Sequence, residues 1–532
     1  IIKDKLFFYA IYNPLYETRE NASLWSYTET DSDDAIWAGK INWNISSDHR
    51  IDFTYFNDER EYEISSQPYD LANKRKGQYY FDGRVVEPVA GNTNGAYRST
   101  VGGENYSLKY TGYLTDDLTM TAMIGHNETA STSRSLNNQG LTRIVDSNTG
   151  IILYGPTISS AGDSRDSRDQ FRIDFDYYLG DHSLRFGIDI EQLEAYENRQ
   201  AYGVGSYNFA LGTDNMVEFL EGTSDYIYQL DSDIVTSVDF NNNGTYETEN
   251  FALYIQDEWQ ITDDIAINMG LRYDEFTNKN INGEDFITMD GQIAPRLAVA
   301  WDVFGDGESK VTASYGRFYL PVATNTNIRL AGEERYVIAW DIHTDAIPQS
   351  EFENIADILG DPEIELIAAD GTLNDTRQLV DENIDPMYQE EFMLSYEQSI
   401  EDYVWGVRAT YRRLGESIED VTVHKGLEEY LDAEFGEDCA ACGERQGAMY
   451  VLTNPGKDVS IWVDTDNFVD QDGNLVEGPQ DIRKFTIPNE YLGYPEAERQ
   501  YIAWDFKFER PWQNDYTFSA KYTGPSGISS LY

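Results

Sequence analysis

Along most of this chain every second residue is apolar, in runs of roughly ten residues that stop at short polar turns. Residues 249–276 hold one complete unit. Phe251, Leu253, Ile255, Trp259 and Ile261 fall on one side of an extended chain, and Ala252, Tyr254, Gln256, Glu258 and Gln260 fall on the other. After the turn Thr262-Asp263-Asp264, Ile265, Ile267, Met269, Leu271 and Tyr273 alternate with Ala266, Asn268, Gly270, Arg272 and Asp274. Period two predicts strands, and two arms across a polar turn predict a hairpin. Arms of about ten to twelve residues exceed the usual soluble strand and match what a tilted strand needs to cross a bilayer. Asp257 is out of phase on the apolar side, which predicts a bulge or a depth near the membrane interface.

The unit recurs. Trp37, Ile41, Trp43 and Ile45 lead through a turn to Ile51, Phe53 and Tyr55; Tyr106 to Leu114 lead through Thr115-Asp116-Asp117 to Leu118, Met120, Ala122 and Ile124. Phe171, Ile173, Phe175, Tyr177 and Leu179 lead to Leu184, Phe186, Ile188 and Ile190, the cleanest repeat in the chain. Further hairpins turn at Gly305-Asp306-Gly307, at Glu401-Asp402 and between Pro511 and Asp515. Between hairpins lie polar stretches read as long loops, at about 65–102, 125–168, 199–247, 322–386 and 414–496. Short turns alternating with long loops, over about 15 strands, predict an all-β fold: a transmembrane antiparallel β-barrel with short periplasmic turns and long extracellular loops.

Composition sharpens this picture. No Pro/Ser/Gly-rich linker divides the 532 residues, so one continuous sheet is expected. The mean hydropathy of −0.55 and the lack of any run of about 18 apolar residues exclude a transmembrane helix but not a barrel, whose lumen-facing residues are polar. Aromatics reach 14%, and Trp43, Trp259, Trp301, Trp405 and Trp512 all lie beside short turns, where an interfacial girdle would place them. The alternative is core tryptophan in a soluble sandwich. The formal charge of −56 argues against nucleic acid as a partner, since phosphate binding needs clustered cations. Lys74-Arg75-Lys76 is the notable basic run and reads as solvated loop. The acid excess fits a surface adapted to salt or to the divalent cations around lipopolysaccharide, with a cationic ligand as the second reading.

The run YIQDEW, the polar turn and INMGLRYDEF resemble the mid-barrel hairpin of TonB-dependent outer-membrane receptors. The run APRLAVAWDVFGDGESKVTASYGRFYLP at 294–321, IIKDKLFFYAIY at the start and VLTNPG at 451–456 resemble the Oar-like group of that family. The resemblance implies a complete barrel of about 22 strands around a plug. On that reading residues 1–532 are the barrel portion, truncated at both ends, with the signal peptide, the plug and the C-terminal strands absent; the final GPSGISSLY does not alternate as a closing strand. It also implies a location in the outer membrane of a Gram-negative bacterium and a TonB complex as partner. An extracellular ligand, held by the loops at about 322–385 and 415–495, would be imported with energy delivered through TonB. Outer-membrane lipid and lipopolysaccharide would surround the barrel.

On the inner stripe of such a barrel fall Arg172, Asp174, Asp176, Arg185, Asp189, Glu191, Arg272, Asp274, Arg296 and Arg408, with Asp302, Asp505, Lys507 and Glu509. Both signs interleave, which favours contact with a plug over plain solvation of a wet lumen. Asp239, Asn241 and Asn243 place oxygens at the first, third and fifth positions of a calcium loop with Gly244 at the sixth, but the twelfth is Asn250 rather than Glu, leaving Glu247 as the nearby carboxylate. Calcium is therefore the one candidate cofactor, against an ordinary polar turn. Asp470-Gln471-Asp472-Gly473 echoes it weakly. Cys439 and Cys442, the only cysteines, predict a local disulfide stiffening a cell-surface loop, since zinc would need two more ligands.

There is no GxSxG, no HExxH and no phosphate-cradling glycine loop, so no enzyme is expected. Two rival functions remain open. A passive porin or export channel would use the same barrel without TonB. A secreted β-sandwich or propeller acting on polysaccharide would instead face its apolar stripes into a protein core.

Overall fold

In the computed structural model the described residues are 2–23, 26–70, 74–76, 79–81, 84–86, 95–136, 142–146, 151–155, 158, 160–201, 206–210, 215–218, 227–230, 233–343, 351, 354–359, 364–435, 437–439, 450–464, 468–470, 482–513 and 516–531. Fifteen long antiparallel strands form the wall: β1 (Leu6–Ala22), β2 (Ser26–Asn44), β3 (His49–Asn57), β4 (Glu104–Tyr113), β5 (Leu118–Ser135), β6 (Ser160–Leu179), β7 (His182–Ala201), β8 (Asp233–Thr262), β9 (Ile265–Lys279), β10 (Asp285–Asp302), β11 (Ser309–Tyr319), β12 (Tyr388–Ile400), β13 (Tyr403–Glu416), β14 (Glu498–Gln513) and β15 (Tyr516–Leu531). Each pairs with its sequence neighbour in one continuous ladder. Shorter strands on the long-loop side bring the same sheet to 23. Among the described residues β1 pairs only with β2, and β15 only with β14.

The sheet is inside-out relative to a soluble core. Phe171 and Leu253 are 42% and 43% exposed, and Ile173, Phe175 and Ile267 are half-buried with no second layer on them, whereas Asp174, Asp189 and Asp274 on the opposite stripe are only 5%, 8% and 6% exposed. Apolar surface left exposed in this way is stable only against lipid. The sandwich and propeller readings are thereby overturned. Trp43, Trp301 and Trp405 stand exposed on the apolar face beside the short turns; the side chain of Trp512 lies outside the described residues.

The turns use side-chain acceptors. Thr115 and Thr262 each accept from the backbone N–H groups two and three residues on, so the two Thr-Asp-Asp turns share one construction. Asp302 accepts from the backbone of Gly305 and Gly307, both at positive φ. Asp257 sits in an unbroken register opposite Leu184 and meets His182 Nδ1 at 2.8 Å. Of the two explanations for its phase, a bulge is excluded and the interfacial depth stands.

Three expectations are corrected. The stretches read as loops at 65–102, 125–168 and 199–247 are largely strand among the described residues: β5, β6, β7 and β8 continue well past the apolar band, and in 65–102 the separate strands Arg60–Asp70 and Gly95–Gly102 pair with each other. The outer halves of β5 and β6 are polar on both faces, so the ladder persists where the alternation that signals it has vanished. The final strand continues through Pro525 to Leu531, with a register shift at Ala503 accommodating the proline. The 414–496 segment folds around a core of its own, described next.

Candidate functional site

On the inner stripe β6, β7 and β8 bring charges into one cluster. The Arg172 guanidinium donates to both oxygens of Asp174 at 3.0 Å and to the Tyr254 hydroxyl at 3.1 Å, and lies 3.7 Å from Asp189. Tyr254 in turn donates to Asp174. Gln170 donates to Asp189 at 2.8 Å and to Glu191 at 3.0 Å, and Arg168 pairs with Glu191. Arg185 lies 3.5 Å from Asp176. Along the wall Arg272 binds Asp274 at 2.7 Å, Arg296 lies over the Phe318 ring at 4.7 Å, and Arg408 meets Asp505 at 2.6 Å. The predicted inward charges are thus partnered both along and across strands, and Tyr254, Gln170, Arg168 and Phe318 join them. Only parity marked these four in the sequence, since polar and aromatic residues are common on that stripe.

At the opposite end from the short turns the chain builds a cap. The helix His424–Phe435 packs Leu427 and Leu431 against Val451, Ile461, Phe485 and Ile487 from the strand pairs Glu419–Thr422 with Tyr450–Thr453 and Val459–Asp464 with Ile482–Ile487. Ten fully or nearly buried apolar residues make this core, ample to order a segment that the sequence presents as loop.

Two buried polar side chains tie the cap to the 322–386 segment. Asp381, 2% exposed, accepts from the backbone of Asn383 and Ser460 at 3.0 Å each and from the Thr453 hydroxyl at 2.9 Å. Asn454 donates to the carbonyls of Ser417 at 2.8 Å and Asp385 at 3.0 Å, and accepts from Asp385 N–H at 2.6 Å. The VLTNPG run therefore has a structural reason. Val451 fills the core, Thr453 and Asn454 join the segments, and Gly456, at φ 91°, passes so close to Glu496 that a Cβ would lie 2.6 Å from its backbone. Outside the membrane band, hydrogen bonds from Lys484 and then Trp462 hold the Glu382 carboxyl below its usual range. Burial opposes the charge on Lys457, yet Asp385 at 2.7 Å and Glu416 at 3.0 Å outweigh it and hold the ammonium above its usual value.

Where the two segments meet lies a cavity of about 290 Å³, lined among others by Val322, Leu330, Met387 and Leu452, with Arg329 and Asp420, 3.4 Å apart, at its side. The helix Asn325–Leu330 that forms one wall is pinned by buried Asn327, which donates to Lys279 O at 2.9 Å and accepts from Asn278 at 2.9 Å.

The calcium candidates fall elsewhere than expected. Asp239, Asn241, Asn243 and Glu247 lie along extended β8 rather than in a loop, and Asp239 is paired with Arg335 at 2.6 Å. Strand pairing of β8 with Arg335–His343 up to Asn241, and with β7 from there on, holds this stretch extended. Among the described residues no three His, Cys, Asp or Glu side chains gather as a metal site. Cys442, the Cys439 side chain and residues 471–473 lie outside the described residues.

A sequence model for an outer membrane beta barrel domain matches residues 2–290, a little over half of the chain. The chain belongs to the outer-membrane β-barrel family. Its barrel thus sits in a Gram-negative outer membrane, with the short turns periplasmic and the cap extracellular. Over 162 residues, 30% of this chain, the barrel is 28% identical to the TonB-dependent transporter Oar of Myxococcus xanthus, of which it spans 15%. Among solved structures it is similar to the siderophore receptors PirA (TM-score 0.47, 10% identity, 99% of this chain and 58% of that one) and PiuA (0.46, 12%, 99% and 60%) of Acinetobacter baumannii. It is likewise similar to the outer membrane transporter YddB of Escherichia coli (0.46, 11%, 97% and 55%). The barrel spans little more than half the length of these structures, and far less of the curated relative.

Proposed function

We propose that this chain is the barrel part of a TonB-dependent receptor of the Oar-like group, which binds a ligand at the cap and imports it with energy delivered through TonB. The observation that carries the reading is the union of the 322–386 and 414–496 segments, through Asp381 and Asn454, around the cavity at Arg329 and Leu330. Specificity in such a scaffold lies in its extracellular parts rather than in the wall. Likeness to Oar over 162 residues supports the family assignment. The reading places the plug, the TonB-contacting segment and the remaining strands of a 22-stranded barrel in the length of the relatives that this chain does not span. The partnered inner charges, with Arg172 and Asp174 foremost, would face that plug. The chain is assigned no bond chemistry.

The full-length protein in planar bilayers should stay closed, then conduct once its plug is unfolded by urea, and it should bind the periplasmic domain of TonB. A steady ohmic current from untreated protein, with no TonB binding, would replace this reading with a passive channel. Leu330→Trp, which fills the cavity, should abolish TonB-dependent uptake while the barrel still inserts.

A further inference from the structure

On β11 to β14 the residues Tyr315, Phe392, Tyr411 and Ile502 stand directly opposite one another, and all face lipid. The next rung toward the cap reads Arg317, Glu390, Arg413 and Gln500. Arg413 is ten residues above the periplasmic turn, which for a tilted strand is ~25 Å, the height of the apolar band. The Arg413 guanidinium therefore sits at the headgroup level of the outer leaflet, and Arg317, which shares its carboxylate partner, lies slightly below it.

Both converge on one carboxylate. Arg317 meets Glu390 at 2.9 Å and Arg413 meets it at 3.0 Å, while the Tyr315 hydroxyl donates to it at 2.9 Å. Arg317 also lies 4.4 Å over the Tyr388 ring, which holds its plane fixed. Glu390 is nearly buried, whereas Arg413 is about half exposed and Arg317 about a third. The cluster carries one net positive charge, and both guanidinium groups are partly exposed.

The corresponding level on β5 to β9 has the opposite sign. The last apolar rung of β5 to β8 is Ile124, Phe171, Ile190 and Phe251, ending at Glu275 on β9. Above it come His126, Asp169, Gln192, Glu249 and Thr277. His126 is taken by Asp169 at 2.8 Å, and Lys279, which also faces outward here, is held by Glu249 at 2.6 Å and Glu247 at 3.8 Å. On β14 Gln500 donates to Glu498 one rung higher. Arg317 and Arg413 are thus a basic pair in an acidic girdle, on a chain of charge −56.

We propose that Arg317 and Arg413 form a binding site for the phosphate of a phosphorylated lipid headgroup in the outer leaflet. Two guanidinium forks, one at headgroup height and one slightly below it, supply bidentate, charge-assisted donors for a phosphate oxygen pair. The apolar rung below supports the acyl chains of the same molecule. Glu390 holds the forks in place and moderates their affinity. The site rests on the outer-membrane placement alone and is independent of whether the barrel transports anything.

The test uses full-length protein in phosphatidylcholine nanodiscs, titrated with phosphorylated lipid A, with enzymatically dephosphorylated lipid A and with inorganic phosphate, binding being read by native mass spectrometry. Phosphorylated lipid A should bind, the dephosphorylated form should bind about tenfold more weakly, and millimolar inorganic phosphate should not displace the lipid. R317Q combined with R413Q should weaken binding about tenfold, with R317K combined with R413K intermediate. Glu390→Gln should strengthen it, because removing the carboxylate leaves both cations uncompensated; a purely structural trio would lose binding there. Equal binding of the two lipid forms, displacement by inorganic phosphate, or unchanged binding in the double glutamine variant overturns the proposal. If that variant does not fold, Glu390→Gln decides: stronger binding upholds the site and weaker or equal binding overturns it.

Discussion

The Tyr254 hydroxyl on β8 donates to Asp174 on β6 across the intervening strand β7. The reach is open because the residue opposite both is Gly187: a Cβ there would lie 2.4 Å from Ile173 O, 2.8 Å from the Tyr254 oxygen and 3.0 Å from Asp174. An aromatic side chain laid over a strand glycine covers backbone that would otherwise be bare, and here it also fixes a buried carboxylate against Arg172.

Gly187→Ala should therefore displace the Tyr254 ring and cost about 1–3 kcal/mol, as overpacking does. Tyr254→Phe should cost about 1–2 kcal/mol, for a hydrogen bond to a charged acceptor. Because both act on one cluster, the double variant should cost less than the sum. Urea midpoints of the barrel refolded into lipid vesicles check all three, and strict additivity would separate the glycine from the cluster.

The cap predicts a local failure rather than a global one. Asp381 holds three donors from both segments in a buried site, so Asp381→Ala strands them and should loosen the cap by about 3 kcal/mol. Protease should then cut within 322–386 and 414–496 while the wall stays resistant. Asn454→Ala should do the same through Ser417 and Asp385. Cleavage spread evenly over the wall would show that the cap and barrel unfold together.

The wall was legible in the sequence because lipid on one side and water on the other impose strict alternation. Phe171, Ile173 and Leu253 could face only one way, and Arg172 and Asp174 only the other. Partners were not legible: Tyr254 reaches Asp174 through a register and a glycine that no local pattern reveals. The cap was hidden for a different reason. Leu427, Val451, Ile461 and Phe485 are scattered among acidic residues, and their common core exists only after distant strands pair. The strand extensions were missed where both faces are polar, as at residues 162–170 of β6. The extended backbone of β8 keeps Asp239, Asn241 and Asn243 out of the loop their spacing suggested.

Tyr246, on β8 well above the apolar band, is fully buried, and its hydroxyl meets no hydrogen-bond partner among the described residues. It lies over Gly332, where a Cβ would stand 2.0 Å from the hydroxyl oxygen. Burial first, with the charges of Glu334 and Glu333, pushes the phenol up to about 12, so it stays neutral. Deleting an unpaired buried hydroxyl removes its desolvation cost, so Tyr246→Phe should be neutral or stabilise by about 1 kcal/mol. A measured loss of stability in the same urea assay would show that the hydroxyl has a partner in solution.

Acid and base should act on the cap in opposite directions through different groups. Glu382 is held below its ordinary value of 4.5 by Lys484, Trp462 and the nearby Arg377. A carboxyl depressed in the folded state stabilises above its ordinary pKa, and that contribution fades as pH falls through the folded value. Lys457 is held above its ordinary 10.5 by Asp385 and Glu416, so its contribution is present below that value and fades as pH rises beyond it. Cap resistance to protease should accordingly be flat between about pH 5 and 10 and decline at each end. Glu382→Gln should flatten the acid limb and leave the alkaline one, while Lys457→Met should do the reverse. If either variant moved the opposite limb, the two anchors would have to be one coupled network, joined through the Asp381 to Asp385 turn between them.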